Sequence, residues 1–381
     1  MIKTENLFKY LFFSALAVYQ LLGLVSVVAR VMLVVILVLA IVCMGKSFVY
    51  IQRSVINGLF LLLFLNTLYY LISPKIIEGT SNWETTGFFA NTGMNLSVFF
   101  ISYYFAINKK IELKEMQFLF IIIFILTSIR FFITKDFILM EYGRMRTMNM
   151  AYDFVIFMPY LLLFRHKLVP VVFLLPTLYY VMYGGKRGAI LIYSLSAVFI
   201  VYNYYFRNVK GHVIRNLIII SALCYVGLTI ATDVFQQSEL LQHRLEQTSK
   251  GDLNGRGSIF GNIFEAWANG GFLQLLLGFG FCSSVRFSGN YAHSDWLELL
   301  STAGLLGVTI YLILFIQMYM FSKRQCYIDR DRKILFLILF IWLLKSFFSM
   351  SYCDVGSMPM TFLCGYVVGN NQTAIKSYFY K

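Results

Sequence analysis

Uninterrupted runs of about 17 to 22 apolar residues recur along the chain, and this is the length at which an α-helix crosses the hydrocarbon core of a bilayer. A membrane-spanning β-strand would instead need about 10 residues of alternating polarity, and that pattern is absent. Charged residues make up 13% of the sequence, whereas a soluble domain usually carries about 25%. These observations predict an all-α polytopic membrane protein.

The apolar runs divide the chain into about twelve predicted transmembrane helices. The expected spans are 9–28, 31–48, 55–73, 88–107, 116–134, 148–164, 168–183, 188–206, 214–232, 294–322, 334–350 and 358–370. Most basic residues then fall in alternate loops, on the side that also holds both termini, and the positive-inside rule marks that side as cytoplasmic. These loops explain the net charge of +14, so nucleic-acid binding is not expected.

No linker or low-complexity tract separates soluble parts, so residues 1–381 are predicted to form a single membrane domain. Its one large extracytoplasmic loop covers residues 233–293. Within that loop, residues 258–268 place an apolar stripe that includes Trp267 opposite a polar face, which predicts an amphipathic helix in the membrane interface. Residues 273–277 are apolar but too few to span, so a re-entrant or surface-dipping segment is expected there.

Arginines on the extracytoplasmic side oppose the positive-inside bias, and two of them lie among glycines. Arg187 stands in Gly184-Gly185-Lys186-Arg187-Gly188, and Arg256 stands in Gly255-Arg256-Gly257 ahead of the amphipathic helix. Glycine permits close backbone approach, and a following helix offers free amides and the positive end of its dipole. Because a guanidinium donates two parallel hydrogen bonds to a phosphate, we expect both arginines to bind a polyanion such as a lipid diphosphate.

His293 lies at the entry of the tenth predicted span, two residues before Asp295. An imidazole with a near-neutral pKa can hydrogen-bond or deprotonate a hydroxyl group; a polar anchor at the membrane interface is the alternative. Asp295 either steers that imidazole or is simply the acid that the helix dipole favours in a first turn. Further along, Gly304 and Gly307 predict close helix packing through small residues.

These motifs occur in an order that resembles the O-antigen polymerase and ligase superfamily. The order is Arg256, the aromatic helix with Trp267, Leu277-Gly278-Phe279-Gly280, Ala292-His293-Ser294-Asp295-Trp296-Leu297-Glu298 and Gly304-Leu305-Leu306-Gly307. Lys186-Arg187-Gly188 is similar to an element that the family carries at the start of an earlier span. The chain departs from the family pattern at Ser294, where asparagine is usual, and at Lys186, where serine is usual.

The resemblance implies a metal-independent, GT-C-like membrane glycosyltransferase without a cofactor, in the bacterial cytoplasmic (inner) membrane with its active site facing the exterior. Undecaprenyl-diphosphate-linked glycans would serve as donor and acceptor. Arg187 and Arg256 would bind the donor diphosphate, assisted by Lys186 and Arg244. His293 would orient or deprotonate the acceptor hydroxyl, with Asp295 as the fallback base.

Three further substrate contacts are expected beside this set. Trp267 and Tyr291 would stack on sugars, although aromatic belts at membrane interfaces use the same residues. Arg286 would bind substrate or, equally, lipid phosphates. Membrane lipids are expected partners, and whether a chain-length regulator takes part is left open.

A polysaccharide repeat-unit polymerase is the favoured function. The O-antigen ligase, which transfers the lipid-linked glycan to lipid A-core, is the alternative within the family. A flippase or transporter is a less favoured alternative from another class. It predicts charged or broken helices at the membrane midplane, whereas few ionisable residues lie deep in the predicted spans, and Lys345 is the clearest exception.

Overall fold

The computed structural model describes residues 4–23, 26–47, 55–74, 82–143, 146–207, 213–249 and 256–379, and within these ranges every regular element is helical. In chain order the α-helices are α1 (Thr4–Leu22), α2 (Val27–Ser47), α3 (Val55–Ile72), α4 (Asn82–Ile107), α5 (Leu113–Tyr142), α6 (Met150–Val155), α7 (Leu168–Tyr183), α8 (Arg187–Val201), α9 (Val213–Gln237), α10 (Glu239–Ser249), α11 (Arg256–Ala268), α12 (Phe272–Leu277), α13 (Ser283–Ser288), α14 (Asp295–Arg324), α15 (Asp329–Phe348) and α16 (Met358–Phe379). A 3₁₀ segment, Met158–Leu163, follows α6, and a π-helical turn, Tyr202–Phe206, extends α8.

Among the described residues, six helices are long and apolar enough to cross a membrane: α2, α3, α5, α8 with its π-helical turn, most of α9, and α14. Their outer surfaces expose large apolar side chains, such as Phe118 at 64% and Val198 at 67%. Apolar surface on this scale suits hydrocarbon rather than water. Helical segments lie in every predicted span, but several are shorter or more polar, so the number twelve stays a prediction.

The chain folds into two compact units, and each is assembled from two separated stretches. Unit 1 comprises residues 1–35 and 110–251, and unit 2 comprises residues 36–109 and 252–381. The division falls within α2, so this helix belongs partly to each unit. The single membrane domain expected from the sequence, with its loop at 233–293, stays a prediction; the described part of that interval is largely helical and contains α10 to α13.

The core of unit 1 is aromatic. Phe120, Phe124 and Phe131 recur at helical spacing on the buried face of α5, and Phe131 packs 4.8 Å from Tyr180 of α7, measured between ring centroids. The α6 segment carries Asp153, whose carboxylate binds Arg130 of α5 at 2.6 Å. Arg130 therefore has a carboxylate partner inside the protein. Removing one member of such a buried pair leaves an uncompensated charge, so the pair links α5 firmly to α6.

The core of unit 2 depends on close contact between α4 and α16. Gly365 and Gly369 lie one turn apart on α16 and face α4. A Cβ atom at Gly365 would lie 2.2 Å from the carbonyl oxygen of Phe99, and one at Gly369 would lie 2.8 Å from that of Tyr103. This small-residue spacing is the one that lets membrane helices approach backbone to backbone.

Asn95 of α4 ties this helix pair to the connection between α15 and α16. Its amide nitrogen donates to the carbonyl oxygens of Ser351 and Tyr352 at 2.8 and 3.0 Å. Its oxygen accepts from the Thr361 hydroxyl of α16 at 3.0 Å. Asn95 is fully buried, so these bonds satisfy a polar group that would otherwise destabilise the core. They fix the position of residues 349–357, which border the site described below.

Substituting Gly365 with alanine should destabilise the protein, because the new methyl group would overlap the Phe99 carbonyl. Overpacking of this kind costs about 1–3 kcal/mol. Gly93→Ala on α4 is the matched control, since nothing lies within 4 Å of a Cβ atom there and alanine is the better helix former. Thermal unfolding of the purified variants in nanodiscs measures the difference. Equal unfolding temperatures for the two variants would contradict the close contact.

Candidate functional site

The site residues expected from the sequence divide between the two units. Lys186, Arg187 and Arg244 belong to unit 1. The members in unit 2 are Arg256, Trp267, Arg286, Tyr291, His293 and Asp295. A single diphosphate site that combines Arg187 with Arg256 therefore stays a prediction.

In unit 1, Lys186 and Arg187 lie at the N-terminus of α8. Gly185 has a left-handed φ of +61°, and a Cβ atom at Gly184 would lie 2.8 Å from that of Ala151. Lys186 follows in an extended conformation as the N-cap, and Arg187 is the first residue of α8. The structure thus confirms the tight glycine turn and the helix start that the sequence predicted. Free amides at this end favour an anion.

Helix α10, which carries Arg244, packs against the glycine turn that precedes α8. A Cβ atom at Gly185 would lie 3.2 Å from Leu240 of α10, and Arg244 lies one turn further along that helix. Leu241, beside it, is fully buried and anchors the helix. Arg244 thus belongs to a helix that packs on the glycine turn before α8, and the assisting role of Lys186 and Arg244 stays a prediction.

In unit 2, the end of α15 organises the other group. We call residues 346–352 the α15 end segment. Arg256, the first residue of α11, donates from Nη1 to the Phe348 carbonyl at 2.8 Å. Ser294, the N-cap of α14, donates to the Ser346 carbonyl at 3.1 Å. Two residues that lie far from α15 in the sequence, and from each other, are thus held by one segment.

Asp295 binds the same segment from the first turn of α14. Its Oδ1 accepts from the Ser351 amide at 2.7 Å, and its Oδ2 accepts from the Tyr311 hydroxyl at 2.5 Å and from the Tyr352 amide at 3.3 Å. The Tyr311 hydroxyl accepts in turn from the indole of Trp342 at 2.8 Å. Asp295 is fully buried, so this geometry favours a positioning role over that of a fallback base.

His293 directly precedes these anchored residues. Its φ of +51° is left-handed, which is uncommon for a residue other than glycine and characteristic of sites under functional constraint. Its side chain is half-buried. Ala292 before it and Ser294 after it are both buried, so the backbone is held on either side of a histidine that still reaches the surface.

Glu298, to which the sequence assigned no role, holds the segment before His293. It is fully buried one turn after Asp295. Its Oε2 accepts from the Ser284 hydroxyl at 2.7 Å and from the Ala292 amide at 3.2 Å. Within the described ranges its Oε1 is buried without a hydrogen-bond partner. The sequence did contain one sign of this role, since Glu298 is a second acid in the first turn of an apolar helix. The helix dipole also favours acids at that position, so the sequence alone does not distinguish the two explanations.

The Gly-Phe-Gly turn and Gly304 form one joint. Gly304 has φ +59° and ψ −151°, which breaks α14. The amides of Phe279 and Gly280 donate to the carbonyls of Ser301 and Thr302 at 2.8 and 3.1 Å, so the broken helix is capped from outside. A Cβ atom at Gly304 would lie 2.6 Å from the backbone nitrogen of Gly278. The predicted close packing of small residues is confirmed, and its partner is the glycine turn.

The remaining candidates have structural contacts of their own. The Trp267 indole donates to the Leu275 carbonyl at 3.1 Å and so joins α11 to α12. Tyr291 stacks on Phe88 at 5.2 Å between ring centroids, and both Trp267 and Tyr291 remain half-buried. Arg286 is exposed in the last turn of α13. Sugar stacking and lipid contact by these three side chains stay predictions.

Helices α11 and α12 differ in how far they are covered. Ile263, on the predicted apolar face of α11, is fully buried, and α11 packs against α13 and α14. Helix α12 instead exposes Phe272 at 74% and Leu273 at 65%. Part of the stripe expected to face lipid thus packs on protein, while the segment expected to dip into the surface keeps its apolar side chains outward.

Burial keeps several titratable groups near Glu298 neutral. Burial, reinforced by nearby acidic groups such as Glu298, raises the pKa of the Tyr352 hydroxyl well above its ordinary value. Burial likewise raises the pKa of the Cys282 and Cys353 thiols. Both are free cysteines, and a protonated, buried thiol is unreactive. These groups therefore fill and support the site rather than react in it.

In the part of the chain that the structure describes, no three His, Cys, Asp or Glu side chains are placed to hold a metal ion. No protein-family model matches this chain, and no curated protein matches it.

Substitutions of Glu298 should show whether its carboxylate positions the backbone before His293 or whether its side chain only fills space. Glu298→Ala leaves the Ser284 hydroxyl and the Ala292 amide unpaired, at a cost of about 1–3 kcal/mol for each buried group, whereas Glu298→Gln keeps an acceptor. We expect the alanine variant to unfold at lower temperature and to exchange amide hydrogens faster around residues 289–294. Glu265→Ala, at an exposed position of α11, is the control. Equal exchange in all three variants would contradict the role.

Proposed function

We propose that this chain is a membrane glycosyltransferase that polymerises undecaprenyl-diphosphate-linked oligosaccharide repeat units into a surface polysaccharide, such as O-antigen, on the outer face of the bacterial cytoplasmic membrane. The observation that carries the proposal is the convergence of Arg256 and the Ser294–Asp295 pair on the α15 end segment. These residues belong to the motifs that resemble the polymerase and ligase superfamily, and they meet although about 40 to 90 residues separate them in the chain.

The proposed reaction needs a proton acceptor and groups that stabilise a leaving diphosphate. An acceptor sugar hydroxyl attacks the anomeric carbon of the donor, the new carbon–oxygen bond forms, and the bond to the diphosphate breaks. The undecaprenyl diphosphate leaves with the electron pair, and the His293 imidazole takes the hydroxyl proton. Arg187 and Arg256, assisted by Lys186 and Arg244, stabilise the developing negative charge.

Positioning in this scheme comes from the two buried acids. Asp295 holds the α15 end segment through the Ser351 and Tyr352 amides, and Glu298 holds the Ala292 amide. Between them they fix the backbone on both sides of His293. A base that is already oriented when substrate binds loses less conformational entropy on reaching the transition state, and this increases the reaction rate.

The transporter interpretation has more support in the structure than in the sequence. Helix α14 is broken at Gly304, Lys345 is a buried charge, and Arg130 and Asp153 form a part-buried ion pair. Each of these has a local partner, however. Lys345 binds Asp354 and the Ser357 hydroxyl, and the break in α14 is capped by neighbouring amides. Paired charges and capped breaks suit a fixed scaffold, so surface chemistry remains the favoured proposal.

Substituting His293 and Arg256 tests the chemistry. In cells that depend on this protein, His293→Ala should lower the yield of long-chain polysaccharide by roughly 100-fold or more, the range for loss of a general base. Arg256→Ala should act in the same direction, and Arg256→Lys should recover part of the loss because the charge is kept. His166→Ala and Arg324→Ala, at exposed positions, are the matched controls. Gel electrophoresis of the polysaccharide and an immunoblot for membrane protein level give the readouts.

The same gel separates the alternatives. Long-chain polysaccharide at normal yield in both alanine variants would overturn the assignment. Cells that lack a polymerase should carry single repeat units on the final carrier, whereas cells that lack a ligase should carry none. Purified protein that moves lipid-linked glycan across liposomes without extending it would replace the proposal with the transporter.

A further inference from the structure

Helix α12, in unit 2, presents its large apolar side chains outward. None of its six residues is buried, and the exposed apolar side chains are Phe272, Leu273, Leu276 and Leu277. Residues 266–285, which include the helix, contain no charged side chain. Water covers an apolar patch of this kind only at a cost in free energy, so the patch calls for an apolar partner.

The backbone at the end of α12 finds its partners within the protein. The Leu275 carbonyl accepts from the Trp267 indole of α11 at 3.1 Å, and the Leu277 carbonyl accepts from the Tyr69 hydroxyl of α3 at 2.6 Å. Carbonyls in a last turn have no partner within their own helix. A helix end in water can leave them to the solvent, whereas one in hydrocarbon needs protein donors of this kind.

Two candidate membrane-crossing helices, α3 and α14, bind α12 directly. On α3 the contact is Tyr69, and the exposed apolar residues 71–72 follow it. On α14 the contact is Gly304, where a Cβ atom would lie 2.7 Å from the Leu275 carbonyl oxygen, and residues 305–306 are again apolar and exposed. Gly304 lies about 14 Å along α14 from its first residue. The apolar surface of α12 therefore continues the surface of two helices suited to hydrocarbon.

We propose that α12 is a re-entrant anchor whose exposed face contacts the acyl chains of the bilayer, and that this contact positions Arg256 through α11. The sequence left open whether residues 273–277 are re-entrant or only dip into the surface. The contacts alongside α3 and α14 favour the re-entrant form. The proposal rests on the proposed function for the chemical role of Arg256 and for nothing else.

Helix α11 joins the anchor to Arg256 as one rigid element. Arg256 is its first residue, and the guanidinium donates to the Phe348 carbonyl of the α15 end segment at 2.8 Å. Trp267, which binds α12, lies about 17 Å further along the same helix at 1.5 Å of rise per residue. The fully buried Ile263 holds α11 against the protein between these two points. A displacement of α12 would therefore shift the helix that carries the guanidinium.

Photolabelling from the acyl chains tests the anchor. The full-length protein is placed in nanodiscs that contain phosphatidylcholine with a diazirine in the middle of one acyl chain, and a parallel sample receives a water-soluble diazirine. Mass spectrometry should find the lipid label on residues 272–277 and little of the aqueous label there. Aqueous labelling of these residues, or protection from both reagents, would overturn the anchor, because water or another protein would then cover α12.

A polar double variant, Phe272→Asn with Leu273→Asn, tests the positioning. Both side chains are exposed, so the change removes little packing inside the protein. We expect the lipid label to fall about tenfold, which corresponds to about 1.4 kcal/mol, and the amides of α11 to exchange hydrogen faster. Phe272→Leu with Leu273→Phe keeps the apolar face and is the matched control. Unchanged exchange in α11 after loss of the lipid label would overturn the positioning role.

Polysaccharide yield separates this proposal from the proposed function. The polar double variant should lower the yield in the wild-type background and lower it much less in Arg256→Lys, where the guanidinium is already absent. Equal losses in both backgrounds would overturn positioning through Arg256. Protein that carries the lipid label on α12 and makes no polysaccharide would refute the proposed function and keep the anchor. Protein that makes polysaccharide without a lipid label on α12 would do the reverse.

Discussion

Backbone amides and carbonyls that leave a helix inside an apolar protein must find partners within the protein, because each unpaired group destabilises it by several kcal/mol. The break in α14 at Gly304 shows how this chain meets the requirement. The carbonyls freed at Ser301 and Thr302 accept from the amides of Phe279 and Gly280. The Gly-Phe-Gly turn is therefore a structural necessity of the broken helix, and the break allows the first turn of α14 to lie beside the end of α15.

The end of α15 provides backbone carbonyls and an amide that bind side chains from two other helices. Its carbonyls at Ser346 and Phe348 accept from Ser294 and Arg256, and its following amide at Ser351 donates to Asp295. A helix C-terminus offers several unsatisfied carbonyls, so cationic and hydroxyl side chains gather there for the same electrostatic reason that anions gather at helix N-termini. The proposed site of unit 2 thus uses a helix end as its frame.

The sequence was sufficient for features that depend on local chemistry. The helical segments, the glycine turn before Arg187 and the small-residue contact at Gly304 follow from apolar run length and from glycine's lack of a Cβ atom. Features that depend on partners distant in the chain could not be read in the same way. Glu298 is defined by Ser284 and the Ala292 amide, and the α4–α16 contact at Gly365 needs a helix more than 250 residues earlier.

The separation of α4 and α16 along the sequence also affects the order of folding during synthesis. Asn95 obtains its partners at Ser351 and Thr361 only after a further 256 to 266 residues have been made. At a synthesis rate of about 5–20 residues per second, the Asn95 amide waits on the order of tens of seconds for these partners. The frame around His293, which includes residues held by Asn95, can therefore be completed only after α16 has been made.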